Sequence, residues 1–234
     1  MLDGASAFVP CDVAVTDYVD QLGRALHSRL LPGGDADLTD VLAEAITDTA
    51  MALDLKPGNS PSSTVAIVRQ LGDALDVLVL GDSLVVLPGR EICDDRLAAL
   101  PVRARTSYRQ RLGAGSGYNN EHRPLMRKLP HEQLPYRNAS GGYWIAEAEP
   151  EAARHAVTYR GMAEPWTILA TDGAYVIMRH LGLADWPATA RMSVPGLTRL
   201  LAQCQHWERT ADPDGQIPPR AKRRDDKSLA VISG

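Results

Sequence analysis

Phenylalanine occurs once, at Phe8, and cysteine three times, at Cys11, Cys93 and Cys204. With so little phenylalanine, aliphatic residues must form most of the core. Cysteines that are odd in number, scattered and without a CxxC pair exclude a disulfide framework or a thiolate zinc site, and they fit a reducing, cytoplasmic setting. No apolar run approaches the roughly 20 residues needed to cross a bilayer. The chain does not open on a basic stretch followed by an apolar run, so no signal peptide is expected. A basic excess is also missing: the formal net charge is −4, which disfavours nucleic acid or an anionic membrane as partner. Neither Gly-x-x-x-x-Gly-Lys-Ser/Thr nor Gly-x-Gly-x-x-Gly occurs, so nucleotide-loop folds have no support. Ser6, Ser83 and Ser140 lack the Gly-x-Ser-x-Gly elbow of a serine hydrolase. His27, His122, His131, His155, His180 and His206 form no ligand pair of the H-x-x-x-H kind, and none is assigned a metal role.

What remains is an ordinary globular chain of 234 residues, 44% hydrophobic and 23% charged, read as a single domain over 1–234. Val15, Tyr18, Val19, Leu22, Leu26 and Leu30 recur at helical spacing within Val13 to Leu31, which Pro32-Gly33-Gly34 stops. Leu38 to Leu55 repeats the pattern. The period then shortens: Thr64 to Arg69, Leu75 to Leu80 and Ser83 to Leu87 read as strands, the last two as a hairpin about Gly81-Asp82. Their continuous apolar character suggests a sheet covered on both faces. Arg90 to Leu112 reads as an interrupted helix with a break at Pro101. Residues 113–140 read as an irregular basic loop with a short helix near Arg123 to Leu129. Strands return at Gly142 to Glu147, Ala156 to Arg160, Trp166 to Thr171 and Ser228 to Ile232. Helices are expected at Ala174 to Leu181 and Pro195 to Arg209. Strands that follow one another without strict helix alternation predict an α+β fold: mostly antiparallel sheets with helices packed outside.

Three segments place an aspartate at the edge of an apolar strand. They are Met1-Leu2-Asp3-Gly4, Ile168-Leu169-Ala170-Thr171-Asp172-Gly173, and the run from Arg224-Asp225-Asp226 to Val231. A fourth is Val79-Leu80-Gly81-Asp82-Ser83. Strand ends hold carboxylates on rigid backbone, and hard divalent cations such as Mg²⁺ and Mn²⁺ take such oxygen ligands. Asp-Gly is also a common turn dipeptide, and Asp214-Gly215, among prolines, reads as that alone.

In order and surroundings these segments resemble the metal-dependent type-2C (PPM) serine/threonine protein phosphatases. Leu2-Asp3-Gly4-Ala5-Ser6 resembles the first Asp-Gly motif, and Pro61 to Ala66 the small-residue turn and strand after two helices. Leu78 to Ser83 is similar to the Gly-Asp-Ser segment, Leu169 to Gly173 to the second Asp-Gly motif, and Arg224 to Val231 to the closing strand. The resemblance implies two packed antiparallel sheets flanked by helices, a four-layer α-β-β-α sandwich. It also implies two Mn²⁺ or Mg²⁺ ions. On this resemblance Asp3 would bridge them, the Gly4 carbonyl would bind one, Asp172 and Asp225 would complete the other site, and Asp82 would lie near a weaker position. The implied activity is hydrolysis of phosphoserine or phosphothreonine in a protein substrate by a metal-activated water.

The chain also departs from the family pattern. Members carry a further strand pair before the first aspartate, so an N-terminal extension supplying two strands and another acidic group is expected ahead of Met1. Ala5 stands where some members have histidine. Val176 stands where a further acidic ligand often sits. A second reading is therefore a catalytically inactive domain that binds a partner. Arg103, Arg105, Arg109, Arg111, Arg123, Arg127, Lys128 and Arg137 read as a solvated basic stretch, with a flap that meets a phosphorylated partner as the alternative. Lys222, Arg223 and Arg224 read as a solvated turn. The sequence carries no sign of the oligomeric state.

Overall fold

The computed structural model describes residues 1–5, 7–8, 11–31 and 34–233. Ser6 and the Pro32-Gly33 part of the helix stop lie outside the described residues. The strands lie in two antiparallel sheets with helices beside them, the α+β class expected. The chain divides into two compact units, residues 1–100 with 136–165 and residues 101–135 with 166–233.

The first unit begins with β1 (Leu2–Ala5), α1 (Val15–Leu30), α2 (Leu38–Ala52), β2 (Ser62–Leu71) and β3 (Ala74–Leu80). It continues with β4 (Leu84–Leu87), β5 (Arg90–Ile92), the short α3 (Arg96–Ala99), a 3₁₀ helix over Pro150–His155 and β6 (Val157–Met162). One sheet runs β1-β2-β3-β6. Tyr18, Leu22 and Leu26 of α1 and Leu42, Ala45 and Ile46 of α2 pack on its Val65, Ile67, Leu78 and Leu80. The i, i+4 spacing of the helical residues and the i, i+2 spacing of the strand residues set these faces together. Ala66, Val77 and Val79, which point the other way, are buried too, so this sheet is covered on both faces. Strand β1 is anchored from its first residue. The Met1 ammonium donates to Ala66 O at 2.6 Å, and Ala66 N donates to Met1 O at 2.9 Å.

Three expected elements of this unit differ. β3 and β4 are not a hairpin: β3 pairs with β2 and β6, and β4 pairs with β5. With a neighbour on each edge, β3 has no edge left for β4. Gly81, at φ +84, turns the chain out of the first sheet. The hairpin turn is instead Pro88-Gly89, so Arg90–Ile92 is strand rather than the start of a helix. Gly142 to Glu147 forms no strand, only isolated bridges at Tyr143 and Ala146. A side chain takes up its backbone: Asn138 Oδ1 accepts from Ile145 N at 2.9 Å. Glu147 and Arg137, each almost fully buried, pair at 3.1 Å. Glu147 also accepts from Ser60 Oγ at 2.7 Å.

At the outer end of the helix-facing side, Asp76 on β3 stands opposite Arg69 of β2 and Arg160 of β6. Arg160 Nε donates to it at 2.6 Å and Arg69 Nη2 at 2.8 Å. These two bonds hold its carboxyl below the usual carboxylate range.

The second unit contains α4 (Arg103–Gly113), α5 (His122–Gln133), β7 (Trp166–Ala170), α6 (Asp172–His180), α7 (Trp186–Thr189), α8 (Val194–Thr210) and β8 (Leu229–Ser233). The basic stretch is more helical than expected. α5 runs to Gln133 although its mean polarity hides the pattern, and α4 buries Ala104, Arg105, Tyr108 and Leu112 at near-helical intervals.

Leu42 is fully buried, so Leu42→Ala should destabilise the protein by about 2–5 kcal/mol, measured by urea unfolding. Asp76→Asn should cost about 1–3 kcal/mol at neutral pH, because two arginines lose their charged acceptor. A depressed carboxyl gives stability that is present above its unfolded pKa and is lost as pH falls through its folded value. The gap between wild type and Asp76→Asn should therefore narrow below about pH 4. A gap that stays constant from pH 7 to pH 3 would remove the ionic account of this cluster.

Candidate active site

The pairing of β7 with β8 brings two aspartates of the second unit together. The regular register ends at Ala170 opposite Leu229. One further step is made with help from a side chain: Thr171 N donates to Ser228 O at 3.1 Å, and Ser228 N donates to Thr171 Oγ1 at 3.1 Å. Beyond that point one chain turns into α6, whose first residue is Asp172, and the other arrives through Asp225-Asp226-Lys227. Gly173 permits the approach. A Cβ at this position would stand 2.2 Å from Asp226 O and 3.2 Å from the Asp225 Cβ. The glycine of this Asp-Gly pair is thus required by a neighbouring backbone and not by a left-handed φ.

Asp172 and Asp225 line a cavity of about 200 Å³ together with Tyr108, Arg109, Val176 and Lys222. Burial, and then the charge of Asp225, push the Asp172 carboxyl above its ordinary value. The Gly173 N–H, donating to Asp172 Oδ1 at 2.6 Å, and the charges of Lys222 and Lys227 act in the opposite direction. Lys222 Nζ lies 2.9 Å from Asp225 Oδ1.

The loop that delivers Asp225 is fixed from below by residues to which the sequence assigns no such role. Glu208 on α8 is buried, and its Oε2 lies 2.7 Å from the fully buried Lys227 Nζ. The contact is one of charge, since Oε2 has no donor in hydrogen-bond alignment. Lys227 Nζ also donates to Asp225 O at 3.1 Å. Arg220 pairs with Asp212 and approaches Glu208 at 3.8 Å. From α5 and the turn before it, Tyr118 OH donates to Lys222 O at 2.8 Å and His122 Nε2 donates to Ala221 O at 2.9 Å. The Lys222 to Arg224 turn is therefore held through its backbone, while its side chains are exposed, Lys222 against Asp225 and Arg223 over the Tyr118 ring. A signal for Glu208 was present in the sequence: it falls four residues after Cys204 and eight after Leu200, on the stripe that the helix buries.

Asp3 and Asp82 belong to the first unit. Asp3 stands opposite Thr64 in the β1–β2 ladder, and its carbonyl accepts from Ser63 Oγ at 3.1 Å. Thr64 is also the residue against which Gly81 packs, a Cβ there falling 2.9 Å from Thr64 Cγ2, and its hydroxyl lies 2.7 Å from that of Ser83. Asp3 and the Gly81-Asp82-Ser83 turn thus share one neighbour at one end of the first sheet. Gly4 lies under α1: a Cβ there would meet the methyls of Val15 and Val19 at 2.7 and 2.8 Å. Asp214-Gly215 is a turn with Gly215 at φ +65. Among the described residues, no group of three or more His, Cys, Asp or Glu gathers to hold a metal ion, and no helix is long and apolar enough to cross a membrane. The basic stretch is not uniformly solvated: Arg105 and Arg137 are buried, whereas Arg109 is exposed at the cavity.

No protein-family model and no curated protein matches the chain. Solved structures do. The serine/threonine phosphatase PstP/Ppp of Mycobacterium tuberculosis superposes with a TM-score of 0.45 at 12% identity, over 98% of this chain and 84% of that one. The catalytic domain of PstP in complex with two manganese ions gives 0.47 at 12% identity, over the same shares. Serine-threonine phosphatase 2C from Toxoplasma gondii gives 0.42 at 15% identity, over 98% and 82%.

Proposed function

We propose that the protein is a metal-dependent phosphatase that hydrolyses phosphoserine or phosphothreonine in a protein substrate. The observation that carries this reading is the pairing of Asp172 with Asp225 in one cavity. Two carboxylates brought together by a backbone contact repel each other, and Asp172 has no ion-pair partner of its own among the described residues. A hard divalent cation relieves that repulsion and takes oxygen ligands of this kind, so the donor set fits Mn²⁺ or Mg²⁺. Such an ion, when bound, supplies a water of lowered pKa and neutralises phosphoryl oxygens.

The remaining roles fall to the chain itself. Asp172 and Asp225 hold the ion. Gly173 keeps the two strands in contact. Lys227 and Glu208 keep the Asp225 backbone in place. Asp3, with the carbonyl of Gly4, and Asp82 are proposed as further oxygen ligands on the sequence resemblance. The phosphorylated protein and the choice between Mn²⁺ and Mg²⁺ rest on the same ground.

One observation favours the second reading, a domain that binds a partner without catalysis. Lys222 already neutralises part of the charge of Asp225. In that case the cavity needs no metal.

The two readings separate in an assay. Chelator-treated protein should gain p-nitrophenyl phosphate hydrolysis when Mn²⁺ or Mg²⁺ is added and lose it with EDTA. Asp172→Asn should lower the rate by more than about tenfold, the scale set by residues that only support metal ligands. Turnover that needs no metal, or an unaffected Asp172→Asn variant, would reject the mechanism. A folded protein with no turnover and no Mn²⁺ binding by calorimetry would establish the partner-binding reading.

A further inference from the structure

The charges around the cavity of the second unit do not all pair. Its acidic lining is Asp172, Asp225 and Glu208, and its basic lining is Arg109, Arg220 and Lys222. Arg220 is engaged with Asp212 and Glu208, Glu208 also with Lys227, and Lys222 with Asp225. Asp172 and Arg109 remain. Neither has an ion pair among the described residues, and although they line the same cavity they do not reach each other within ion-pair distance. Arg109 is exposed on α4, next to the buried Tyr108 that fixes this face of the helix.

An unpaired carboxylate and an unpaired guanidinium facing one cavity suit a ligand that carries a cation on one side and an anion on the other. We propose that Arg109 binds the phosphoryl group of the substrate and determines its affinity, with the metal on the Asp172 side. This inference rests on the phosphatase reading above. Arginine suits the task because its planar fork donates two parallel hydrogen bonds to a phosphate. Helix α4 suits it as a platform. Tyr108 and Leu112 are buried, and α4 packs against α5, whose His122 bonds to the same turn that presents Lys222. The guanidinium is thus carried on an element tied to the rest of the site.

Two measurements on the full chain test this: calorimetric binding of inorganic phosphate in the presence of Mg²⁺, and steady-state hydrolysis of p-nitrophenyl phosphate. Arg109→Met should weaken phosphate binding about tenfold or more and raise KM by a similar factor. Mg²⁺ binding without phosphate should stay as in wild type. Arg109→Lys should recover part of the loss, because it keeps the charge and gives up the bidentate geometry. Equal thermal melting of the three proteins without ligand would show that Arg109→Met acts on binding and not on folding. Wild type that binds Mg²⁺ and turns over substrate, with Arg109→Met equal to it in KM and phosphate affinity, would overturn the role of Arg109 alone. Wild type that binds neither Mg²⁺ nor phosphate would overturn both this inference and the phosphatase reading beneath it.

Discussion

Two carboxylates held together against their own repulsion organise the candidate site. Asp172 and Asp225 come from segments 53 positions apart, and nothing in their own chemistry draws them together. The β7–β8 ladder, extended one step by Thr171, brings the two strand ends side by side, and Gly173 removes the side chain that would hold them apart. The result is a half-buried acid whose ionised form is disfavoured first by desolvation and then by its neighbour. Perturbed carboxylates of this kind gather where chemistry is done, although structural networks produce them too.

The surroundings carry the electrostatic cost. Lys227, with no exposed side-chain surface, holds the Asp225 carbonyl and faces Glu208. Removing either member of such a pair leaves an uncompensated buried charge, which is why these residues constrain the loop so firmly. The Arg137–Glu147 pair does the same in the first unit, where it gathers Ser60 and the Gly58 N–H into one cluster. Arg69, Asp76 and Arg160 form a third cluster across three adjacent strands. In each case charged groups from different segments are brought against one another inside the fold.

The parts that could be read in the sequence are those set by local periodicity. The two long helices, the strands β2, β3, β7 and β8, and the aspartates at their ends follow from spacing alone, since a buried face must repeat at the period of its element. The misreadings have a common cause. Gly81-Asp82 has the composition of a hairpin turn, and only the occupation of both edges of β3 shows that it is a crossing between sheets. Gly142 to Glu147 has the composition of a strand, but Asn138 takes a backbone bond that a strand partner would have taken. Lys227 and Arg137 look like surface residues because charge alone does not reveal a partner 19 or 10 positions away. Glu208 could have been found, as a charge on the buried stripe of α8.

The central claim is that the Asp172–Asp225 cavity accepts a divalent cation. The most direct measurement is anomalous diffraction from crystals soaked in Mn²⁺. The account predicts an anomalous peak at coordination distance, about 2.0–2.2 Å, from a carboxylate oxygen of Asp172. Lys222 should have moved away from Asp225. A crystal saturated with Mn²⁺, with no peak at Asp172 and with Lys222 still paired to Asp225, would contradict it.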